Sequence, residues 1–132
     1  MFIEYTAKRS LRTGTTVNTT QSFEIDIQGD DRKPVVESKT VKSLSGNQQT
    51  VFHRMEVTRA ITLIPTKVEA VQDQIVEFLD SVVDGSSFSI DIYGTQASPD
   101  NPQTAVLSPL SYSAPARIQR LFLQFSFSIR LL

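Results

Sequence analysis

The stretch that most constrains this chain is Ile64–Tyr93, because it changes hydrophobic period twice within thirty residues. Pro65 stops the strand-like alternation before it. Thr66 and Glu69 have the spacing of a T-x-x-E capping box, in which each side chain answers an orphan backbone N–H. Val68, Val71, Ile75, Phe78, Leu79 and Val82 then fall on one helical face. Lys67, Gln72, Asp73, Gln74, Glu77 and Asp80 fall largely on the other. Gly85 stands where a left-handed helix stop is favourable. From Phe88 the period becomes two: Phe88, Ile90 and Ile92 alternate with Ser87, Ser89, Asp91 and Tyr93, as in a strand with one buried face. A helix over about 66–84 that packs on β-structure is the expectation.

The rest of the chain reads as strands. Phe2–Ala7 is a short apolar strand, and Lys8–Thr20 a basic, then Thr-rich loop. In Ser22–Gln28, Phe23, Ile25 and Ile27 alternate with Ser22, Glu24, Asp26 and Gln28. Gly29-Asp30-Asp31-Arg32-Lys33-Pro34 has the composition of a turn, followed by a strand over Val35–Lys42 and a second turn at Gly46-Asn47. Thr50–Ile64 exceeds the usual strand length, so it either bends at a bulge or forms one arm of a projecting hairpin. After the polar loop Gly94–Thr104 come a short strand over Ala105–Leu110 and a final strand from Arg117 onward. In that strand Leu121, Leu123, Phe125, Phe127, Ile129 and Leu131 share a face. The expected fold is mainly β: an antiparallel β-sandwich or barrel with one flanking helix, in a single domain over residues 1–132.

Function classes are narrowed by what the composition withholds. A net charge of −1 gives no support for a general nucleic-acid binder. With 0 cysteines, neither a disulfide framework nor thiolate chemistry is available, as suits a reducing compartment. No apolar run approaches the roughly 20 residues of a membrane span, and the start lacks a signal-peptide core. Synthesis and folding in a cytoplasm is the simplest reading. His53, the single histidine, sits mid-strand without His or Cys neighbours and reads as structural. Glu24 and Asp26 share a strand face and read as solvated. Asp80, Asp84 and Asp91 surround a helix C-terminus, where the dipole disfavours anions, so solvent or an interface is expected to receive them. Asn18-Thr19-Thr20 has the form of a glycosylation sequon, which without a secretion signal is a chance match. Arg9, Arg12, Arg117, Arg120 and Arg130 are scattered and suit surface ion pairs. Phosphate loop, nucleophile elbow and zinc motif are missing from the sequence. Catalytic residues, cofactors and metal ligands are therefore expected to be none.

One segment resembles a known family. Lys42-Ser43-Leu44-Ser45-Gly46-Asn47-Gln48-Gln49-Thr50-Val51-Phe52-His53-Arg54 is similar to the turn and rising strand of tail proteins from long-tailed phages. A strand ending in Leu63-Ile64-Pro65 follows, then the helix with Val71, Ile75, Phe78 and Leu79, a Gly, the Ser87-Phe88-Ser89 strand and a final amphipathic strand. That order resembles the distal tail proteins and the lambda-type minor tail protein M. The family often carries Trp in the strand after the helix, where this chain has Phe88.

The resemblance implies a structural virion protein with the tail-tube fold. Six copies would close into a homo-oligomeric ring between the tail tube and the tip or baseplate hub, assembled in the host cytoplasm. DNA would pass through the lumen without specific binding. On that reading Ser22, Glu24, Asp26 and Gln28, continued by Gln124, Ser126 and Ser128, are candidates for the channel wall, because neutral or acidic groups leave a polyanion mobile. Thr50, Phe52, Arg54, Glu56 and Thr58 are candidates for the contact between subunits, since a strand that overruns its domain leaves backbone groups for a neighbour. The competing readings are a tail-terminator or fibre-collar ring, and a small β-barrel that binds a ligand or a single nucleic-acid strand. For the last, Phe122 and Phe52 beside Arg120 and Arg54 are the stacking candidates.

Overall fold

A computed structural model of the chain describes residues 1–132 other than 13, 43–45, 47, 109, 110 and 112. The side chains of 33, 35–42 and 48–56 also lie outside the described set.

The chain is mainly β, with one helix. In chain order the elements are β1 (Phe2–Thr6), β2 (Thr20–Glu24), β3 (Ile27–Lys42), β4 (Gln48–Leu63), α1 (Glu69–Val82), β5 (Phe88–Asp91), β6 (Gln103–Leu107), β7 (Ala116–Arg117), β8 (Leu123–Gln124) and β9 (Ser126–Leu131). Seven strands pair antiparallel in the order β2-β1-β5-β6-β9-β4-β3. The two ends of that order, β2 and β3, are separated in sequence by Ile25 and Asp26 alone. They are two halves of one bent strand, and the sheet must curl round to join them. The bend is held from both sides: Ile25 N donates to Met1 O (3.1 Å), and Ile64 N donates to Asp26 O (3.1 Å). The sheet thereby curls into a barrel-like body, in which β2 and β3 each pair on one side only.

Alternation fills the barrel. Ile3 and Tyr5 of β1, Phe23 of β2, Ile61 and Leu63 of β4, Phe88 and Ile90 of β5, Ala105 and Leu107 of β6, and Phe127 and Ile129 of β9 are all buried. The helix adds Ile75, Phe78, Leu79 and Val82 to the same cluster. Phe78 is its hub, meeting the rings of Tyr5, Phe23, Phe88 and Phe127 edge-on at centroid distances of 5.2, 5.6, 4.9 and 5.8 Å.

Several boundaries differ from the sequence reading. The helix begins at Glu69, with Val68 at the N-cap and no side-chain cap. Thr66 is held in a backbone bridge to Leu123 (N–H donated to O at 2.9 Å, and 3.0 Å in return), so it cannot turn into a capping box. Val68, expected on the buried face, is 52% exposed. The far end behaves as expected, since Gly85 has φ +92 and donates its N–H to Val82 O at 3.1 Å. Residues Gly29–Pro34, expected as a turn, run inside β3. A register shift between Ile27 and Gly29 leaves Gln28 as the extra residue, and Pro34 is tolerated because β3 pairs only with β4. The final strand breaks in two places: β7 and β8 form a small hairpin around Ile118–Phe122, and Phe125 separates β8 from β9.

Beyond the barrel, β3 and β4 continue as a two-stranded arm. β4 leaves β9 at the Thr58↔Arg130 pair. From Pro34↔Val57 to Lys42↔Gln48 the two strands pair only with each other, apart from a second register shift between Glu37 and Ser38. At ~3.3 Å per residue the arm extends about 30 Å. Gly46, in the connection at its tip, has φ +87.

Candidate functional site

The arm carries the expected interface residues. Thr50, Phe52, Arg54 and Glu56 belong to its β4 strand, and their side chains lie outside the described residues. Thr58 is different: it is paired with both Lys33 and Arg130 and belongs to the barrel wall. His53 also lies outside the described side chains.

The expected wall residues divide into two groups at the bend. Ser22, Glu24 and Asp26 are exposed on one side, with Glu24 Oε1 accepting the Gln96 N–H at 2.8 Å. Gln28, Gln124, Ser126 and Ser128 lie together on the other side. Gln124 Nε2 donates to Gln28 Oε1 and to Leu63 O (3.2 Å), and Ser126 Oγ lies 3.4 Å from Thr62 Oγ1. This second group is an uncharged stripe on the outer barrel face, while Phe127 and Ile129 of the same strand face the core.

The charged groups with the most constrained surroundings are structural. Glu77, expected on the polar helix face, is fully buried. Its Oε2 accepts the N–H groups of Leu11 (3.1 Å) and Arg12 (3.3 Å), with Arg12 Nε at 3.6 Å. One and two turns on, the helix continues this strip: Asp80 pairs with Arg9 at 2.5 Å and Asp84 pairs with Lys8, while Ser81 Oγ accepts the Lys8 N–H at 3.0 Å. The basic loop is thus strapped along the helix, which answers why carboxylates crowd its C-terminal half. Tyr5 lies beside this strip; burial first, then the Glu77 charge, pushes its hydroxyl up to about 12.

Asp91, expected at solvent or an interface, is 2% exposed. It accepts N–H groups from Gly94 (3.0 Å), Asp100 (2.9 Å) and Asn101 (3.3 Å). Burial alone would raise its carboxyl, but the three donors outweigh that and hold it below the usual range. Its task is to fold the 94–101 loop onto the barrel. At the barrel mouth Asp30 pairs with Arg59 at 2.5 Å and accepts the Tyr93 hydroxyl at 2.8 Å, and this hydrogen bond raises the Tyr93 hydroxyl.

None of these clusters combines a nucleophile with a base. Among the described residues no group of three or more His, Cys, Asp or Glu side chains could hold a metal ion, and no helix is long and apolar enough to cross a membrane. Compared with known family models and with curated proteins, the chain finds no match.

Sequence reasoning reached the β7–β8 hairpin only through Phe122 and Arg120 as stacking candidates, and missed the exposed apolar side chains around them. Ile118 is 50% and Leu121 64% exposed, and Lys67 Nζ lies 5.9 Å from the Phe122 ring centroid. The available signal was compositional: from Asn101 to Leu132 the chain has arginines but no carboxylate side chain.

Proposed function

We propose that the chain is a structural, ring-forming component of a phage tail, placed between the tail tube and the tip, with the DNA channel running through its ring. The observation that supports this most is the arm. An isolated two-stranded hairpin is marginal in water, and two unpaired strand edges about 30 Å long invite pairing with another chain. A neighbouring copy in a closed ring supplies that pairing without leaving an open end. The barrel interior is filled by core side chains, which favours a structural part over a ligand-binding barrel. The uncharged stripe of Gln28, Gln124, Ser126 and Ser128 is the proposed lumen face, since none of these four side chains is a cation.

The test is mass in solution, read with particle images. The full chain should form a ring, six-fold on the family resemblance. Thr50→Pro with Phe52→Pro removes two backbone donors from the same side of β4 and should abolish the ring while leaving the barrel's circular dichroism unchanged. A chain that stays monomeric at every concentration, alone and with tail-tube protein, would refute the reading.

A further inference from the structure

A second association surface lies away from the arm, around Pro65. On one side of Pro65 is an open cleft of about 390 Å³ whose rim carries Glu24 and Asp26 and whose floor includes Ile64 and Val71. On the other side Pro65 forms an apolar hollow of about 280 Å³ with Ile118, Gln119 and Phe122 of the β7–β8 hairpin. Three exposed cations adjoin its lining residues: Lys67, whose Nζ is 5.9 Å from the Phe122 ring centroid, and Arg117 and Arg120, which flank Ile118 and Gln119 in the chain.

The two halves are fixed relative to each other. Thr66, directly after Pro65, exchanges both backbone hydrogen bonds with Leu123 at the base of the hairpin, and Gln72 Nε2 of the helix donates to Leu121 O at 3.3 Å. The apolar content is concentrated here as well. Of the nine large apolar side chains exposed among the described residues, Ile64 (38%) lines the cleft and Ile118 (50%) the hollow, and Val68 (52%) and Leu121 (64%) lie within three residues of the lining in sequence. Concentrated exposed apolar surface with a charged rim is the usual mark of an interaction site.

We infer that this surface pairs with the same surface on a second copy of the chain, the cationic hairpin of each copy seating against the acidic cleft of the other. Charge complementarity selects the occupant. The cationic and acidic halves flank one residue, so a two-fold axis near Pro65 satisfies both halves at once and places the apolar residues between them. The pairing is independent of the arm and goes beyond the ring reading: it joins copies through a different face.

Analytical ultracentrifugation of four full-length variants tests it, with circular dichroism as the check on folding. The arm variant Thr50→Pro/Phe52→Pro should still self-associate in pairs, and more weakly as salt rises. Adding Arg117→Glu/Arg120→Glu to it, or adding Glu24→Lys/Asp26→Lys, should each weaken pairing about tenfold or more by placing like charges in contact. Mixing those two charge variants should restore pairing, because each then meets its complement. A third addition, Leu121→Asp, tests the apolar part and should also abolish pairs. A folded arm variant that is monomeric throughout, charge variants that pair like their parent, or a mixture that fails to recover would each overturn the inference. Loss of rings alone on arm substitution bears on the ring reading and leaves this one standing.

Discussion

Replacing Phe78 by alanine tests the central packing claim, that one helix side chain ties four strands into one core. Phe78 is 0% exposed, and its ring meets those of Tyr5, Phe23, Phe88 and Phe127, from β1, β2, β5 and β9. A buried Phe→Ala change costs roughly 3–5 kcal/mol through lost transfer energy and the cavity left behind. Edge-to-face partners add about 0.5–1.5 kcal/mol per pair beyond area, and neighbours belonging to four hydrogen-bonded strands of one sheet cannot all move inward. The expected cost is therefore in the upper part of that range, about 4–5 kcal/mol. For a chain of 132 residues, an unfolding entropy of ~2.1 cal/mol/K per residue converts this to a fall in Tm of about 15 °C. Urea titration followed by far-ultraviolet circular dichroism measures it, with Phe78→Leu as the control that keeps most of the volume. A loss below about 2 kcal/mol with an unchanged denaturant slope would mean that the helix does not organise the barrel.

Other substitutions separate the polar contributions. Tyr5 has a buried hydroxyl without a hydrogen-bond partner, so Tyr5→Phe should leave stability at pH 7 within about 1 kcal/mol of the parent or raise it. The same variant should flatten the alkaline limb of the stability profile. The folded-state hydroxyl is raised to about 12, so its contribution is complete below pH ~10 and lost as pH rises toward 12. Gly94→Ala should cost about 1–3 kcal/mol, because a Cβ there would lie 2.1 Å from Asp91 Oδ2 and 2.5 Å from the Asp100 nitrogen. Asp91→Asn should speed hydrogen exchange at the amides of Gly94, Asp100 and Asn101. In the parent the lowered Asp91 carboxyl stabilises the fold above pH ~4, and that contribution is lost as pH falls through its folded-state value.

What was legible in the sequence was whatever depends on local period. The apolar faces of β1, β5 and β9 and most of the helix face follow from alternation and 3.6-residue spacing, and Gly85 marks the stop. What was not legible depends on partners distant in sequence. Glu77 looks like a solvated helix residue until Leu11 and Arg12 arrive with backbone donors. Asp91 looks like the exposed half of an alternating strand until the 94–101 loop folds over it. Gly29–Pro34 has turn chemistry, yet pairing with β4 holds it extended, and Asp30 is matched by Arg59 and Tyr93. The final strand hid its breaks because alternation continues through Leu121–Leu123 across a turn, leaving an apolar side chain in solvent. The wall candidates show the same limit: alternation placed them on outer faces, but the bend at Ile25–Asp26 parts Ser22 and Glu24 from Gln28.

The arm and the barrel stand in different energetic relations to the sequence. The buried core among the described residues is carried by 1–32 and 57–132. The backbones of Pro34–Lys42 and Gln48–Val57 pair with each other and with no further strand described, and a two-stranded hairpin offsets little beyond the cost of ordering it. On the ring reading proposed above, a neighbouring copy adds the order that this pairing alone does not supply. Fast amide exchange along 34–56 in the isolated chain, becoming slow when copies assemble, is the signature this requires. Equally slow exchange in the free monomer would mean that the arm is stable alone, and the main physical reason for a neighbour would be gone.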